Sequence, residues 1–162
     1  MSWYAIYTKS RAEKKLAVKL TELGIENYLP IRKELRQWSD RKKWVEVPAI
    51  SCYLFVNIDE VGKTLLFKQD HFVAFVRSFG KPAIIPDVQI EAMKRALEAN
   101  VEHTFEPTPL LVGQKVRVTT TPLEGIEGVI TKSTGKNKLY ISIETTGLSL
   151  VIDLEKFDFE LL

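Results

Sequence analysis

Cysteine and histidine are scarce in this chain. Its single cysteine, Cys52, cannot form an internal disulfide, and its two histidines, His71 and His103, are too far apart for a metal-ligand motif. A glycine-rich phosphate loop and a nucleophile-elbow motif are also missing. These absences remove the common signatures of metal-dependent, nucleotide-dependent and nucleophilic enzymes. We therefore expect a protein that is not an enzyme and that binds no cofactor or metal.

Long hydrophobic runs are missing too. No apolar stretch approaches the roughly 20 residues that would span a bilayer, and the N-terminus lacks the basic flank and apolar segment of a secretory signal. The 162 residues are 45% hydrophobic and 27% charged, which is a globular balance without a signal for disorder. We expect a cytoplasmic protein without membrane association, built from one domain or two small ones.

Charge is low overall but unevenly distributed. The formal net charge is +2, whereas residues 1–50 contain eleven Lys and Arg against six Asp and Glu. A basic N-terminal third fits an anionic partner. An ordinary solvated surface explains it equally well.

The first half of the chain is organised around the apolar run Tyr53–Ile58, which predicts a strand buried in the middle of a sheet. Trp3–Lys9 predicts another strand. The spacing of Ser10 and Glu13 is that of a capping box, so a helix is expected to begin at Ser10. Gly24 is expected to end that helix. The sequence thus predicts an α+β arrangement here.

Residues 25–47 predict a protruding hairpin that turns at Ser39-Asp40. Its tip carries the cations Arg36, Arg41, Lys42 and Lys43. Trp38 and Trp44 lie on its arms. The favoured interpretation is that the two rings pack across the hairpin. The alternative is that they stack on a base or fill a partner's pocket.

Beyond the hairpin, a further helix is expected from an N-cap at Asp87 to Asn100. Residues 101–111 lack periodicity and predict a linker. Short alternating strands separated by turns follow and predict a small all-β barrel. The predicted domains are 1–100 and 112–162.

Motifs in both domains resemble the NusG family of transcription elongation factors. The C-terminal stretch 112–130, with Gly125-Ile126-Glu127-Gly128-Val129 at its turn, resembles a KOW motif. In the N-terminal half the resemblance rests on Trp3-Tyr4, Tyr53-Leu54-Phe55-Val56 and Val76-Arg77-Ser78-Phe79-Gly80. It implies an antiparallel sheet flanked by helices, linked to an SH3-like KOW β-barrel. Because Thr119-Thr120-Thr121-Pro122 opposes helix, we expect that barrel to be stable and not to refold.

Some stretches are most similar to specialised members of the family. Gly24–Pro30, Arg36–Lys43 and Pro86-Asp87 resemble RfaH and the UpxY-type antiterminators of Bacteroides capsular polysaccharide operons. This resemblance implies an antitermination factor that raises the processivity of RNA polymerase on specific long operons. Two alternatives stay open: a general NusG-like elongation or termination factor, and a ribosome- or RNA-associated KOW protein.

The resemblance also implies sites, on a protein expected to be a monomer. A patch for the β′ clamp helices of RNA polymerase falls on Tyr7, Ile50, Tyr53, Ile90 and Met93, which could instead be ordinary core residues. Ile50 and Tyr53 are expected to be exposed. Non-template DNA would meet Lys9, Arg11, Lys15 and Lys19. Leu123 and Ile126 would bind a ribosomal protein or Rho. Gly62-Lys63-Thr64 fall at the β-subunit contact, where relatives have His-Thr-Thr.

Overall fold

The structure, a computed structural model, describes residues 1–99, 101, 103–107, 114–133, 136–143, 148–154 and 157–162. Within these residues the chain divides by its contacts into two compact units, Met1–Ile84 and Ile85–Leu162. No helix among the described residues is long and apolar enough to cross a membrane.

The N-terminal unit contains two helices and a series of antiparallel strands. In chain order they are β1 (Ser2–Thr8), α1 (Glu13–Glu22), β2 (Glu26–Tyr28), β3 (Ile31–Gln37), β4 (Lys42–Pro48), β5 (Tyr53–Ile58), α2 (Glu60–Phe67), β6 (Phe72–Phe75), β7 (Arg77–Ser78), β8 (Lys81–Pro82) and β9 (Ile84–Ile85). The main sheet has the order β2-β5-β1-β6, with β9 also pairing with β1. The pairs β3-β4 and β7-β8 form separate two-stranded sheets.

Strand β5 is the central strand that the sequence predicts. It lies between β1 and β2, and Leu54, Phe55 and Val56 are completely buried. Apolar residues of α1, including Leu16 and Leu20, pack into the same core. A strand with neighbours on both sides and cover on its faces needs an uncharged apolar sequence, which explains the composition of this run.

Helix α1 ends as predicted but begins later. Gly24 has φ +77°, and the Ile25 N–H donates to the Leu20 carbonyl at 2.9 Å, which is a glycine C-terminal motif. The predicted start at Ser10 is wrong, because the helix begins at Glu13. Arg11 has φ +60°, which no helical residue adopts, so the chain turns there before the helix can form.

The β3-β4 hairpin has a register that separates its two tryptophans. Leu35 lies opposite Trp44, and Arg36 lies opposite Lys43. Because side chains alternate between faces along a strand, Trp38 shares a face with Arg36, and Trp44 lies on the other face. The expectation that the two rings pack together is therefore wrong.

The described residues of the C-terminal unit form a helix and one antiparallel sheet. Its elements are α3 (Asp87–Glu98), β10 (His103–Pro107), β11 (Gln114–Val118), β12 (Glu127–Ser133), β13 (Lys136–Ile143), β14 (Leu148–Asp153) and β15 (Phe159–Leu161). The strand order is β10-β14-β13-β12-β11-β15, and α3 packs against β13. The predicted mixed α+β class is confirmed, and the strands after α3 form one antiparallel sheet as the sequence predicts.

Two expectations are corrected in this unit. Pro86, not Asp87, occupies the N-cap position of α3, and no side chain caps that end. The predicted linker contains a strand, since His103–Pro107 pair with β14 at the sheet edge. Thr104 and Phe105 are residue types that strands favour, and the backbone groups of β10 that face β14 are paired with that strand. The rest of the expected linker at 102 and 108–111, residues 112–113 of the motif, and the turns at 134–135 and 145–147 lie outside the described residues.

Candidate functional site

An aromatic pair, Tyr7 and Tyr53, lies at the ends of two central strands. The two residues are opposite each other in the β1-β5 register, and their ring centroids are 5.1 Å apart at 57°. Tyr7 is 37% exposed and Tyr53 is partly buried. Burial, together with a hydrogen bond to Tyr7 and the proximity of that phenol, raises the pKa of Tyr53 to about 12. The Tyr53 phenol is therefore neutral at pH 7, and the pair presents an amphipathic surface of the kind that protein interfaces favour.

A buried carboxylate holds the turn before Tyr53. The Cys52 N–H donates to Glu13 Oε1 at 2.8 Å, and the Cys52 carbonyl accepts from the Thr8 N–H at 2.9 Å. Cys52 has φ +64°, an uncommon conformation for a residue with a side chain. These bonds fix the direction in which Tyr53 enters β5. This role of Glu13 is not visible in the sequence, because the spacing of Ser10 and Glu13 suggests a helix cap.

Ile50 does not join the exposed part of this patch. It is only 7% exposed, which contradicts the expectation that Ile50 and Tyr53 are presented together. The segment from Ala49 to Cys52 is a turn and not the start of the strand, and the Ala49 N–H donates to the Pro30 carbonyl at 2.7 Å. That tight turn directs the Ile50 side chain inward, where burial of apolar area stabilises the fold.

The other two predicted docking residues, Ile90 and Met93, lie on α3 in the C-terminal unit. Both are completely buried on the inner face of that helix. Arg95 of the same helix donates to the carbonyl of Pro122 at 2.6 and 3.1 Å and to that of Glu124 at 2.6 Å. Arg95 is not recognisable as a contact residue in the sequence, because a single arginine on a helix carries no signal of its partner.

The predicted basic face is present on and before α1. Lys9, Arg11, Lys15 and Lys19 are all exposed. Lys15 and Lys19 lie one helical turn apart and line an open groove of about 230 Å³ together with Gln69 and His71, beside Asp70. In the described part of the chain none of the four cations forms a salt bridge. Such a face can bind phosphate groups in a salt-dependent manner.

The predicted KOW partner residues are not on the surface. Leu123 and Ile126 are both buried, and the turn between them is closed by the Ile126 N–H donating to the Leu123 carbonyl at 3.1 Å. Gly125 has φ +87°, and a Cβ at Gly128 would lie 2.7 Å from Leu139 Cδ1. Both glycines therefore have the backbone reasons that the motif suggests, a positive φ and a close approach.

Residues 62–64, the expected β-subunit contact, are engaged within their own unit. A Cβ at Gly62 would lie 2.8 Å from Ile58 Cβ, so this position is tightly packed. The Lys63 ammonium pairs with Glu60 at 2.9 Å and lies 4.8 Å from the centroid of the Tyr4 ring. The hydrogen bond to Glu60 is the main cause of a raised Lys63 pKa. This segment therefore offers a different surface from a His-Thr-Thr sequence.

In the described part of the chain, no group of three or more His, Cys, Asp or Glu side chains could hold a metal ion.

Two partly exposed acids of the C-terminal sheet have a structural role, since both pair with one arginine. Arg117 pairs with Glu127 at 2.6 Å and with Glu160 at 3.1 Å, joining β12 and β15 across β11. The hydrogen bond to Glu127 is the leading cause of a raised Arg117 pKa.

Comparison with known proteins identifies the family of this chain. A structure described as "Domain interaction in Thermotoga maritima NusG" matches at 21% identity and a TM-score of 0.52, covering 93% of this chain and 92% of that chain. The MjSpt4:Spt5 complex in conformation A matches at 13% identity and a TM-score of 0.33, covering 98% of both chains, which is too distant to support an argument. No curated protein matches.

The family model described as "NusG: Transcription termination factor nusG" matches residues 1–94, which is more than half of the 162 residues. The matched range includes β1, β5 and most of α3. The chain therefore belongs to the NusG family, whose members are non-enzymatic transcription factors that act with RNA polymerase in elongation and termination.

Proposed function

We propose that this protein is an antitermination and elongation factor that docks on the β′ clamp helices of RNA polymerase through the Tyr7-Tyr53 pair. Docking there would favour a processive polymerase on long operons, such as those for polysaccharide biosynthesis. The proposed N-terminal polymerase-binding domain is 1–100, and the proposed KOW domain is 112–162. The observation that carries the proposal is an accessible aromatic pair on the central strands of a family-matched domain.

The aromatic pair has the properties of an interface centre. Two phenol rings in contact supply apolar area, and their hydroxyl groups supply polar contacts at little loss of conformational entropy. The rigid placement of Tyr53 by Glu13 and Cys52 supports the proposal, because a preorganised contact loses less entropy on binding. The neutral Tyr53 phenol also avoids desolvating a charge at the interface.

The exposed cations Lys9, Arg11, Lys15 and Lys19 support a second contact, with non-template DNA in the elongation complex. Lys15 and Lys19 project from successive turns of one helix, so they can contact neighbouring phosphates. Lys14 is not available in the same way, because its Nζ donates to the Glu46 carbonyl at 2.6 Å. The contact would be sensitive to salt and largely independent of base sequence.

The other predicted docking residues are buried, and they could contact a partner only after the structure around them rearranges. Ile90 and Met93 are buried, so docking through them requires α3 to expose its inner face. Leu123 and Ile126 are buried as well, and a small-subunit ribosomal protein or Rho could use them only after the turn opens. The Arg95 contacts to that turn are the ones that such a rearrangement would break.

Polymerase binding is tested with the purified full-length chain and cognate core RNA polymerase on a biosensor. Tyr53→Ala should weaken binding at least tenfold, as expected for an aromatic at the centre of an interface. Phe79→Ala is the matched control, because Phe79 is a fully exposed aromatic of the same unit outside the proposed patch. Equal affinity of the Tyr53 variant and the unmodified protein would refute docking through this pair.

Operon specificity is tested separately. Transcript profiling after deletion of the gene should show one long operon losing its distal transcripts. A change across most transcripts would instead support a general NusG-like elongation or termination factor. Unchanged transcripts together with altered ribosome profiles would support the KOW protein associated with ribosomes.

A further inference from the structure

The β3-β4 hairpin is not explained by the proposed polymerase contact. Its two strands pair only with each other among the described strands, and most of its side chains are exposed. The Trp38 N–H donates to the Arg41 carbonyl at 2.7 Å and closes the turn. A two-stranded ribbon that projects from a sheet contributes little to a hydrophobic core, so its sequence is free to serve another purpose.

The register defines a basic face on this ribbon. Residues that lie opposite each other in an antiparallel pair share a face, about 5 Å apart. The face that carries Trp38, here called the Trp38 face, comprises Arg32, Glu34, Arg36, Trp38, Arg41, Lys43, Val45 and Val47. Every second residue along one strand is about 7 Å from the next on the same face. The cations therefore form a ladder along the ribbon.

The positive charge of the Trp38 face is poorly compensated. Glu34 is its only acid, and it contacts Arg36 at 3.4 Å with both side chains substantially exposed. Exposed pairs of this kind contribute little stability. Within the described residues Arg32, Arg41 and Lys43 have no acidic partner. An anionic ligand would meet these charges without first breaking a strong ion pair.

An aromatic ring lies among these cations. Lys43 Nζ is 5.3 Å and Arg41 Cζ is 5.9 Å from the centroid of the Trp38 ring, which is itself 43% exposed. Cations beside an accessible indole are the combination that binds a phosphate backbone and stacks on an unpaired base. An acidic peptide would use the charges but not the ring. A duplex would offer phosphates but no base free to stack.

We propose that the Trp38 face of the β3-β4 hairpin binds single-stranded nucleic acid. Arg41 and Lys43 contact phosphates, and Trp38 stacks on a base. Different residues carry this site and the basic face of α1, and binding here does not depend on polymerase docking. The two proposals can therefore fail independently.

The first test compares two double variants of the full-length protein by fluorescence anisotropy with labelled dT20 and U20 strands over a series of salt concentrations. R41Q/K43Q removes two cations from the Trp38 face. K33Q/K42Q removes two cations from the opposite face of the same hairpin. Both have the same net charge, so a difference between them reports the position of the charges and not their number.

The loss of two phosphate contacts should reduce the slope of log K against log salt by about 1.4, since each contact to a single strand contributes about 0.7. At 0.1 M salt this corresponds to binding about 25-fold weaker for R41Q/K43Q. K33Q/K42Q should remain within about threefold of the unmodified protein, since its charges act only at a distance. Equal losses in the two variants, or no loss in R41Q/K43Q, would overturn the proposal.

The second test addresses the ring and the class of ligand. Trp38→Ala should weaken binding about tenfold, which is in the range for loss of one stacking aromatic, and Trp44→Ala should have little effect. Neither change creates a core cavity, because Trp38 is 43% exposed and Trp44, on the other face, is 65% exposed. Tighter binding of a 20-base-pair duplex, or displacement of dT20 by polyglutamate at equal charge concentration, would show that the ligand is not single-stranded nucleic acid.

Discussion

Replacement of Glu13 by alanine tests how the docking pair is held in place. The Glu13 carboxylate is buried and accepts the Cys52 N–H at 2.8 Å, one residue before Tyr53. A hydrogen bond to a charged group contributes about 1.5–3 kcal/mol, and a carboxylate in the first turn of a helix adds about 0.3–1 kcal/mol. Glu13→Ala should therefore lower the free energy of unfolding of the N-terminal unit by about 2–4 kcal/mol.

Urea denaturation followed by tryptophan emission measures this loss. Trp3 is buried in β1, whereas Trp38 and Trp44 are exposed, so the emission change on unfolding reports mainly on the N-terminal sheet. Glu13→Gln keeps an acceptor and should lose only about 1–2 kcal/mol, because a neutral hydrogen bond remains. Glu22→Ala, at an exposed position in the last turn of the same helix, should lose nothing. A loss below about 0.5 kcal/mol in Glu13→Ala would refute the structural role of this carboxylate.

Three further predictions follow from the contacts described above. Spectrophotometric titration at 295 nm should show Tyr53 ionising near pH 12, and Tyr7→Phe should lower that pKa toward the usual value of 10.0. Because the folded state keeps this proton longer than the unfolded chain, the contribution of Tyr53 to stability is complete below pH 10 and is lost as the pH rises toward 12. Gly128→Ala should destabilise the C-terminal sheet by about 1–3 kcal/mol in thermal denaturation, since its Cβ would overlap Leu139; normal stability would contradict the close approach. Arg95→Ala should increase amide hydrogen exchange across α3, and unchanged protection would show that its bonds to the turn do not hold the helix.

The regular elements could be predicted because their signals are local. The uncharged run Tyr53–Ile58 predicts an interior strand, and Gly24 predicts a helix end through its freedom to adopt a positive φ. The spacing of Gly125 and Gly128 likewise indicates a tight turn. In each case the neighbouring residues determine the local backbone. Those predictions therefore did not require knowledge of long-range contacts.

The errors arose where long-range contacts decide the outcome. Ser10 and Glu13 have the spacing of a helix cap, but Glu13 is used by Cys52, which is 39 residues away. An exposed Ile50 is expected from the sequence, yet the turn before β5 directs this side chain inward. The faces of Trp38 and Trp44 depend on the register of the hairpin, and a shift of one residue in that register would place both rings on the same face.

A photo-crosslinking experiment tests docking through the Tyr7-Tyr53 pair most directly. Benzoylphenylalanine is placed at position 53 of the full-length protein, activated in an assembled elongation complex, and the crosslinked subunit is mapped by mass spectrometry. The same group at position 79, on an exposed turn of the same unit, is the control. We predict a crosslink from position 53 to the β′ clamp helices that is much stronger than any from position 79. Crosslinks of equal strength from both positions, or a crosslink from position 53 only to a part of the polymerase outside the β′ clamp helices, would contradict the proposed docking.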